Sequence, residues 1–76
     1  MFPMVVVNPK KILFEGQATK VFLQGDKGEF EILEYHSPIM SVLRKGRIVI
    51  DGKKFISIKG GIARFDQNTL VVLAES

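Results

Sequence analysis

Arg47-Ile48-Val49-Ile50-Asp51-Gly52-Lys53-Lys54-Phe55-Ile56-Ser57-Ile58 sets Asp-Gly between two alternating runs rich in β-branched residues. Asp-Gly supplies the positive-φ positions of a tight type I′ turn, whose twist suits the right-handed twist of paired strands. The stretch therefore predicts a hairpin. Strand residues two apart share a face, so Ile48 and Ile50 point one way on the first arm and Ile56 and Ile58 on the second, leaving Phe55, Ser57 and Lys59 opposite.

Downstream, Gly60-Gly61 permits a bend or bulge before Ile62 to Phe65, and Asp66-Gln67-Asn68 turns the chain into Thr69 to Leu73. Upstream, Lys45-Gly46 is a turn and Ile39 to Leu43 a short apolar run. Pro38 to Leu43 comes closest to a helical stripe, but six residues are too few to nucleate a helix. Gly25-Asp26-Lys27-Gly28 closes a polar turn into a strand with Phe30 and Ile32 inward and Glu29 and Glu31 outward. Thr19, Val21 and Leu23 alternate with Lys20, Phe22 and Gln24. Ile12 to Phe14 is a further strand, with Gly16 a place for a kink, and Asn8-Pro9 ends the β-branched run Val5-Val6-Val7, whose apolar character on both sides suits a strand covered on both faces or one at a crowded corner. No window of about eleven residues carries a 3.6-residue apolar period, so the pattern is all-β, a sandwich or barrel of eight to ten short strands.

Seventy-six residues make one small domain, and 46% hydrophobic residues supply one core. The absence of cysteine excludes a disulfide framework and a thiolate metal site, and a single histidine argues against zinc. The net charge of +3 comes from eleven basic and eight acidic residues interspersed along the chain, a mixed solvated surface. No run approaches the ~20 apolar residues of a membrane-spanning helix.

Catalytic chemistry finds little support. Glu29 and Glu31 share a strand face opposite Phe30 and Ile32, and a wet face does not separate two carboxylate pKa values as an acid and base pair needs. His36 has only the adjacent Ser37 beside it, which points away in an extended loop. Gly25 to Gly28 lacks the Gly-Lys-Ser/Thr ending and the following helix of a phosphate loop. The loop from Glu34 to Pro38 is the place for function, because a loop held by strands presents polar groups that a core does not use.

Five separated motifs carry a resemblance across nearly the whole chain: Val-x-Pro-x-x-Ile-Leu-Phe-Glu-Gly at Val7 to Gly16, Gly-x-x-Gly-Glu-Phe at Gly25 to Phe30, Ile32-Leu33 with His36-x-Pro38, Gly60-Gly61-Ile62, and Leu70-Val71-Val72-Leu73-Ala74. In this order they resemble the N-terminal domain of the epsilon subunit of bacterial F-type ATP synthases. The resemblance implies a flattened β-sandwich of about ten short, mainly antiparallel strands at the foot of a central rotor shaft. It implies a non-catalytic subunit of a proton- or sodium-translocating synthase, peripheral to the cytoplasmic face of the bacterial inner membrane, with the gamma subunit on one side and the polar loops of the c ring below. No cofactor, metal or nucleotide site comes with it.

Carried over position by position, Glu29 is a polar contact to a c-ring loop, and His36 with Ser37 and Pro38 contacts gamma or the ring. Asn8 and Ser41 are placed near the same end, and Glu31 joins the partner-facing set. Where the family reads Gly-Glu-Leu-Gly-Ile-Leu-Pro-Gly-His-Ala-Pro, this chain has Phe30 for a leucine, Glu31 for a glycine, Glu34 for a proline, Tyr35 for a glycine and Ser37 for an alanine. Lys59 replaces a serine. Tyr35 at a glycine position implies a differently shaped loop or a partner gap that admits bulk, and Glu31 and Glu34 imply a compensating Lys or Arg on the partner. Family members commonly continue into two C-terminal helices, whereas this sequence ends at Ser76, so neither their inhibitory latch nor their ATP site is expected of it. The face toward gamma should be apolar and include outward residues such as Phe22 or Phe55. The rival reading is a small basic β-barrel that binds nucleic acid, which needs several exposed aromatics on one sheet. A sugar- or metal-binding double-sandwich enzyme would need a His-rich inner face.

Overall fold

The computed structural model describes residues 1–76 and contains nine strands: β1 Phe2–Val7, β2 Ile12–Ala18, β3 Lys20–Gly25, β4 Gly28–Leu33, β5 Ile39–Leu43, β6 Gly46–Ile50, β7 Lys54–Ile58, β8 Gly60–Asp66 and β9 Thr69–Glu75. One layer has the order β2-β1-β9-β8-β5 and the other β4-β3-β6-β7, the two joined where Gly25 of β3 meets Leu43 of β5. All neighbours are antiparallel except β1 and β9. The chain is thus the expected all-β sandwich, its nine strands within the expected eight to ten.

The layers close on sixteen buried apolar residues, with Phe2 and Phe65 at the centre in an edge-to-face pair at 5.4 Å. In β1 the buried positions alternate, Phe2, Met4 and Val6, while Val5 and Val7 are only half-buried. Val5 to Val7 is therefore not covered on both faces. Gly16 does not interrupt β2, and the turn into β3 comes at Thr19.

The Asp51-Gly52 hairpin forms with both residues at positive φ, 55° and 67°, and Lys53 N–H donates to Ile50 O. Its loop is longer than a two-residue turn by Lys53, since Ile50 pairs with Lys54 and Ile48 with Ile56. The apolar pattern requires this. Ile48, Ile50, Ile56 and Ile58 all occupy even-numbered positions, and facing residues on paired strands share a face, so a two-residue loop would put Phe55 inward and Ile56 and Ile58 outward. At the corner between β7 and β8, Gly61 has φ 157° and lies so close to β9 that a Cβ there would run into the Leu73 carbonyl oxygen. No other residue fits that approach.

Candidate docking surfaces

The connections fall at two ends. At one, Asn8 Nδ2 donates to Ser76 Oγ at 2.8 Å, Lys59 N–H to Glu75 O, Arg44 N–H to Gln24 O and Asp26 N–H to Val42 O. These bonds gather the β1–β2, β3–β4, β5–β6 and β7–β8 connections beside the end of β9. At the other end, Thr19 and Lys20 meet Asp51, and Tyr35 N–H donates to Asn68 Oδ1 at 2.8 Å. The residues singled out in sequence separate accordingly. Asn8 and Glu29 lie toward the first end, and Glu29 and Ser41 line one open cleft formed by Gly25 to Phe30 and Ile39 to Val42. His36, Ser37 and Pro38 belong to the second. Glu29 and His36 do not share an end, because β4 runs between them and Glu29 to Leu33 alone spans about 13 Å of strand.

Each of these residues has a defined setting. Asn8 folds its own turn, its Oδ1 accepting from Lys10 and Lys11 N–H at 2.8 Å each. Ser41 Oγ donates to Val42 O at 3.2 Å. His36 is half-buried with its ring edge-on to Phe65 at 6.0 Å. Its Nδ1 lies 2.7 Å from Ser37 O, and since a carbonyl only accepts, Nδ1 carries the hydrogen and leaves Nε2 for a partner. Glu31 is exposed, opposite Phe22 on the outer face of the second layer.

Leu33 to His36 form a turn closed by His36 N–H to Leu33 O, with Tyr35 at φ 62° in its third position. A positive φ there is the mark of a type II turn, which favours Pro then Gly in the middle. Glu34-Tyr35 adopts that shape against preference, and the tyrosine projects outward, 81% exposed. Glu34 reaches the Met1 ammonium at 2.9 Å.

Two exposed apolar faces complete the surface. On the outside of the first layer, Val42 pairs with Ile62, Ile62 with Leu73, Leu73 with Val7 and Val7 with Ile12. This row crosses five strands, and Val42, Ile62, Leu73 and Ile12 remain 43–57% exposed. Outside the second layer, Phe22, Val49 and Phe55 form a shorter row, with the Arg47 guanidinium 5.0 Å from the centre of the Phe55 ring. Phe22 and Phe55 thus face outward as their strand parity demands. The five-strand row was invisible in the sequence because it joins residues from five strands. Asp51 was also missed as more than a turn residue. Its Oδ1 accepts from Thr19 N–H, Thr19 Oγ1 and Lys20 N–H at 2.8, 2.8 and 3.0 Å, and these bonds, the Lys20 amide first, hold its carboxyl below the ordinary value of 3.8.

A sandwich with exposed apolar faces and polar ends offers surfaces of the kind that mark protein–protein contact sites. Residues 1–76 match the family of the ATP synthase delta/epsilon chain β-sandwich domain over their whole length, and the chain belongs to that family. It is 37% identical to ATP synthase epsilon chain 2 of Nitrobacter hamburgensis, with 99% of this chain and 57% of that protein aligned. It is 40% identical to the epsilon chain of Maricaulis maris, over 92% of this chain and 55% of that one. Against the epsilon chain of Caulobacter vibrioides it is 37% identical over 92% of this chain and 85% of that one. The chain thus spans little more than half the length of most of these relatives. Its fold is shared with chains in the mitochondrial ATP synthases of Tetrahymena thermophila, in a structure of the central stalk and c ring, and of Euglena gracilis. The TM-scores are 0.80 and 0.84 at 14% and 15% identity, with 97% and 96% of this chain and 63% and 49% of those chains covered.

Proposed function

We propose that the chain is a non-catalytic rotor subunit of the central stalk of a proton- or sodium-translocating F-type ATP synthase, coupling ion flow to ATP synthesis at the cytoplasmic face of a bacterial inner membrane. Gamma docks on the outer face of the first layer, whose apolar row is longer, rather than on the Phe22 and Phe55 face of the second, and the c ring meets the end that carries Asn8 and Glu29, with Ser41 in the cleft behind. With the ring at that end, His36, Ser37 and Pro38 at the opposite end are left to gamma, and Glu31, on the outer face of the second layer, points away from both partners.

The observation that carries this reading is the row Val42-Ile62-Leu73-Val7-Ile12. A contiguous exposed apolar row across five strands is the kind of patch that marks a protein–protein contact site. A single layer of exposed apolar residues on a flat sheet suits a rigid contact, since cross-strand hydrogen bonding resists the shear that torque applies.

Calorimetric titration onto gamma tests the reading, with a single-stranded oligonucleotide as control. The chain should bind gamma one to one, and Ile62→Glu with Leu73→Glu should weaken binding at least a hundredfold with the fold intact by circular dichroism. Glu29→Lys should leave gamma binding alone and impair coupling to the ring. No affinity for gamma, with salt-sensitive binding to the oligonucleotide, would instead establish the nucleic-acid reading.

A further inference from the structure

The charge of the molecule is not spread evenly. The end that gathers the β1–β2, β3–β4, β5–β6 and β7–β8 connections presents Lys10, Lys11, Lys27, Arg44, Lys45 and Lys59 against Asp26, Glu29 and Glu75. That is six cations to three carboxylates, net +3, while the rest of the chain carries five cations and five carboxylates and is neutral. The overall +3 therefore originates at one end. All six cations are exposed, and none is in an ion pair; the chain's two pairs, Met1 with Glu34 and Arg64 with Asp66, lie elsewhere.

We infer that this end is an electrostatic contact surface for anionic phospholipid headgroups. The orientation rests on the proposal above, in which Asn8 and Glu29 face the ring and hence the bilayer; the charge distribution does not depend on it. The form of the patch selects the partner. The cations stand on separate connections with flexible stems, none fixed in a bidentate fork, and no aromatic stands among them to stack a base. A fluid anionic surface is recognised by such a scattered set of ammonium and guanidinium groups, whereas a single nucleic-acid strand calls for aromatic stacking platforms as well. The attraction acts within a Debye length, about 8 Å at physiological salt, so it operates only when this end sits at the headgroups. It would hold the foot of the rotor at the membrane surface without insertion.

Co-sedimentation tests the inference. The probe is vesicles of phosphatidylcholine with 30% phosphatidylglycerol, compared with phosphatidylcholine alone and with a polyglutamate peptide, at about 50 and 300 mM salt. Each cation close to the surface contributes about fivefold in partition. The chain should bind the anionic vesicles and not the neutral ones, and lose binding in the higher salt. Lys10→Gln, Lys11→Gln, Arg44→Gln and Lys45→Gln together should reduce partition by two orders of magnitude or more. Lys53→Gln with Lys54→Gln, at the other end, should leave it unchanged. Equal binding to both vesicle types, equal loss from the two sets of variants, or binding to polyglutamate without binding to vesicles would overturn the assignment. The same variants are titrated onto gamma: retained affinity shows that a failure on vesicles concerns this patch alone, while absent affinity in the unmodified chain counts against the rotor reading instead.

Discussion

Replacing Asp51 by alanine should be among the most destabilising changes available at the surface. The Asp51 carboxylate accepts three hydrogen bonds from Thr19 and Lys20, and its own N–H donates to Lys20 O, so the β6–β7 tip is tied to the corner where the chain passes between layers. Bonds to a charged acceptor are worth ~1.5–3 kcal/mol each when dry, but water replaces part of that at an exposed corner, leaving about 2–3 kcal/mol for the set. Alanine at φ 55° adds roughly 1 kcal/mol, since a left-handed backbone suits Asp, Asn and Gly. The sum, about 3–4 kcal/mol, compares with about 4–11 kcal/mol for a whole domain of this length. Urea denaturation should show that loss for Asp51→Ala and about 1 kcal/mol for Asp51→Asn, which keeps an acceptor and tolerates the backbone. The pH dependence has a definite sign. The folded carboxyl titrates below 3.8, so its charge stabilises the fold fully above that pH, and the contribution is lost as pH falls through the lower folded value. The gap between wild type and Asp51→Asn should therefore close in acid. An alanine variant within 0.5 kcal/mol of wild type, or an Asn gap that does not change with pH, would refute the reasoning.

Other expectations follow from the same geometry. Deleting Lys53 should cost 3 kcal/mol or more, as the shortened loop turns Ile56 and Ile58 outward at ~1.5–3 kcal/mol per side chain, while Lys53→Asn should lie within 0.5 kcal/mol; equilibrium unfolding of both distinguishes a length requirement from a side-chain one. Tyr35→Asn should stabilise by about 0.5–1 kcal/mol by relieving a left-handed tyrosine, and a thermal melt below wild type would mean that the exposed ring makes contacts that outweigh the strain. Phe2→Ala should cost about 3–5 kcal/mol, given a fully buried ring stacked edge-on to Phe65, and should lower the melting temperature by more than 12 °C.

Local chemistry made much of the fold legible. Asp51-Gly52 and Gly25 to Gly28 mark turns by conformational preference alone, and alternation assigned inward and outward sides for Val21, Leu23, Ile32, Ile48 and Ile50 correctly. Gly16 misled because a glycine permits a bend without requiring one. The three-residue hairpin loop was implicit in the parity of the four isoleucines, yet the Asp-Gly preference pointed to a shorter turn, and core burial decided between them.

What the sequence by itself determined is the strand content, the turn positions, the alternation within each strand and, through its separated motifs, the family. All depend on interactions within a few residues or on the order of short motifs. What only the tertiary structure decided is which strands lie side by side, and with that the five-strand apolar row, the gathering of six cations at one end, the clamp of Asp51 on Thr19 and Lys20, and the separation of Glu29 from His36. Those features join residues up to sixty or more positions apart. Their placement is set by the closing of two layers on one core, a sum over the whole chain that no local pattern encodes.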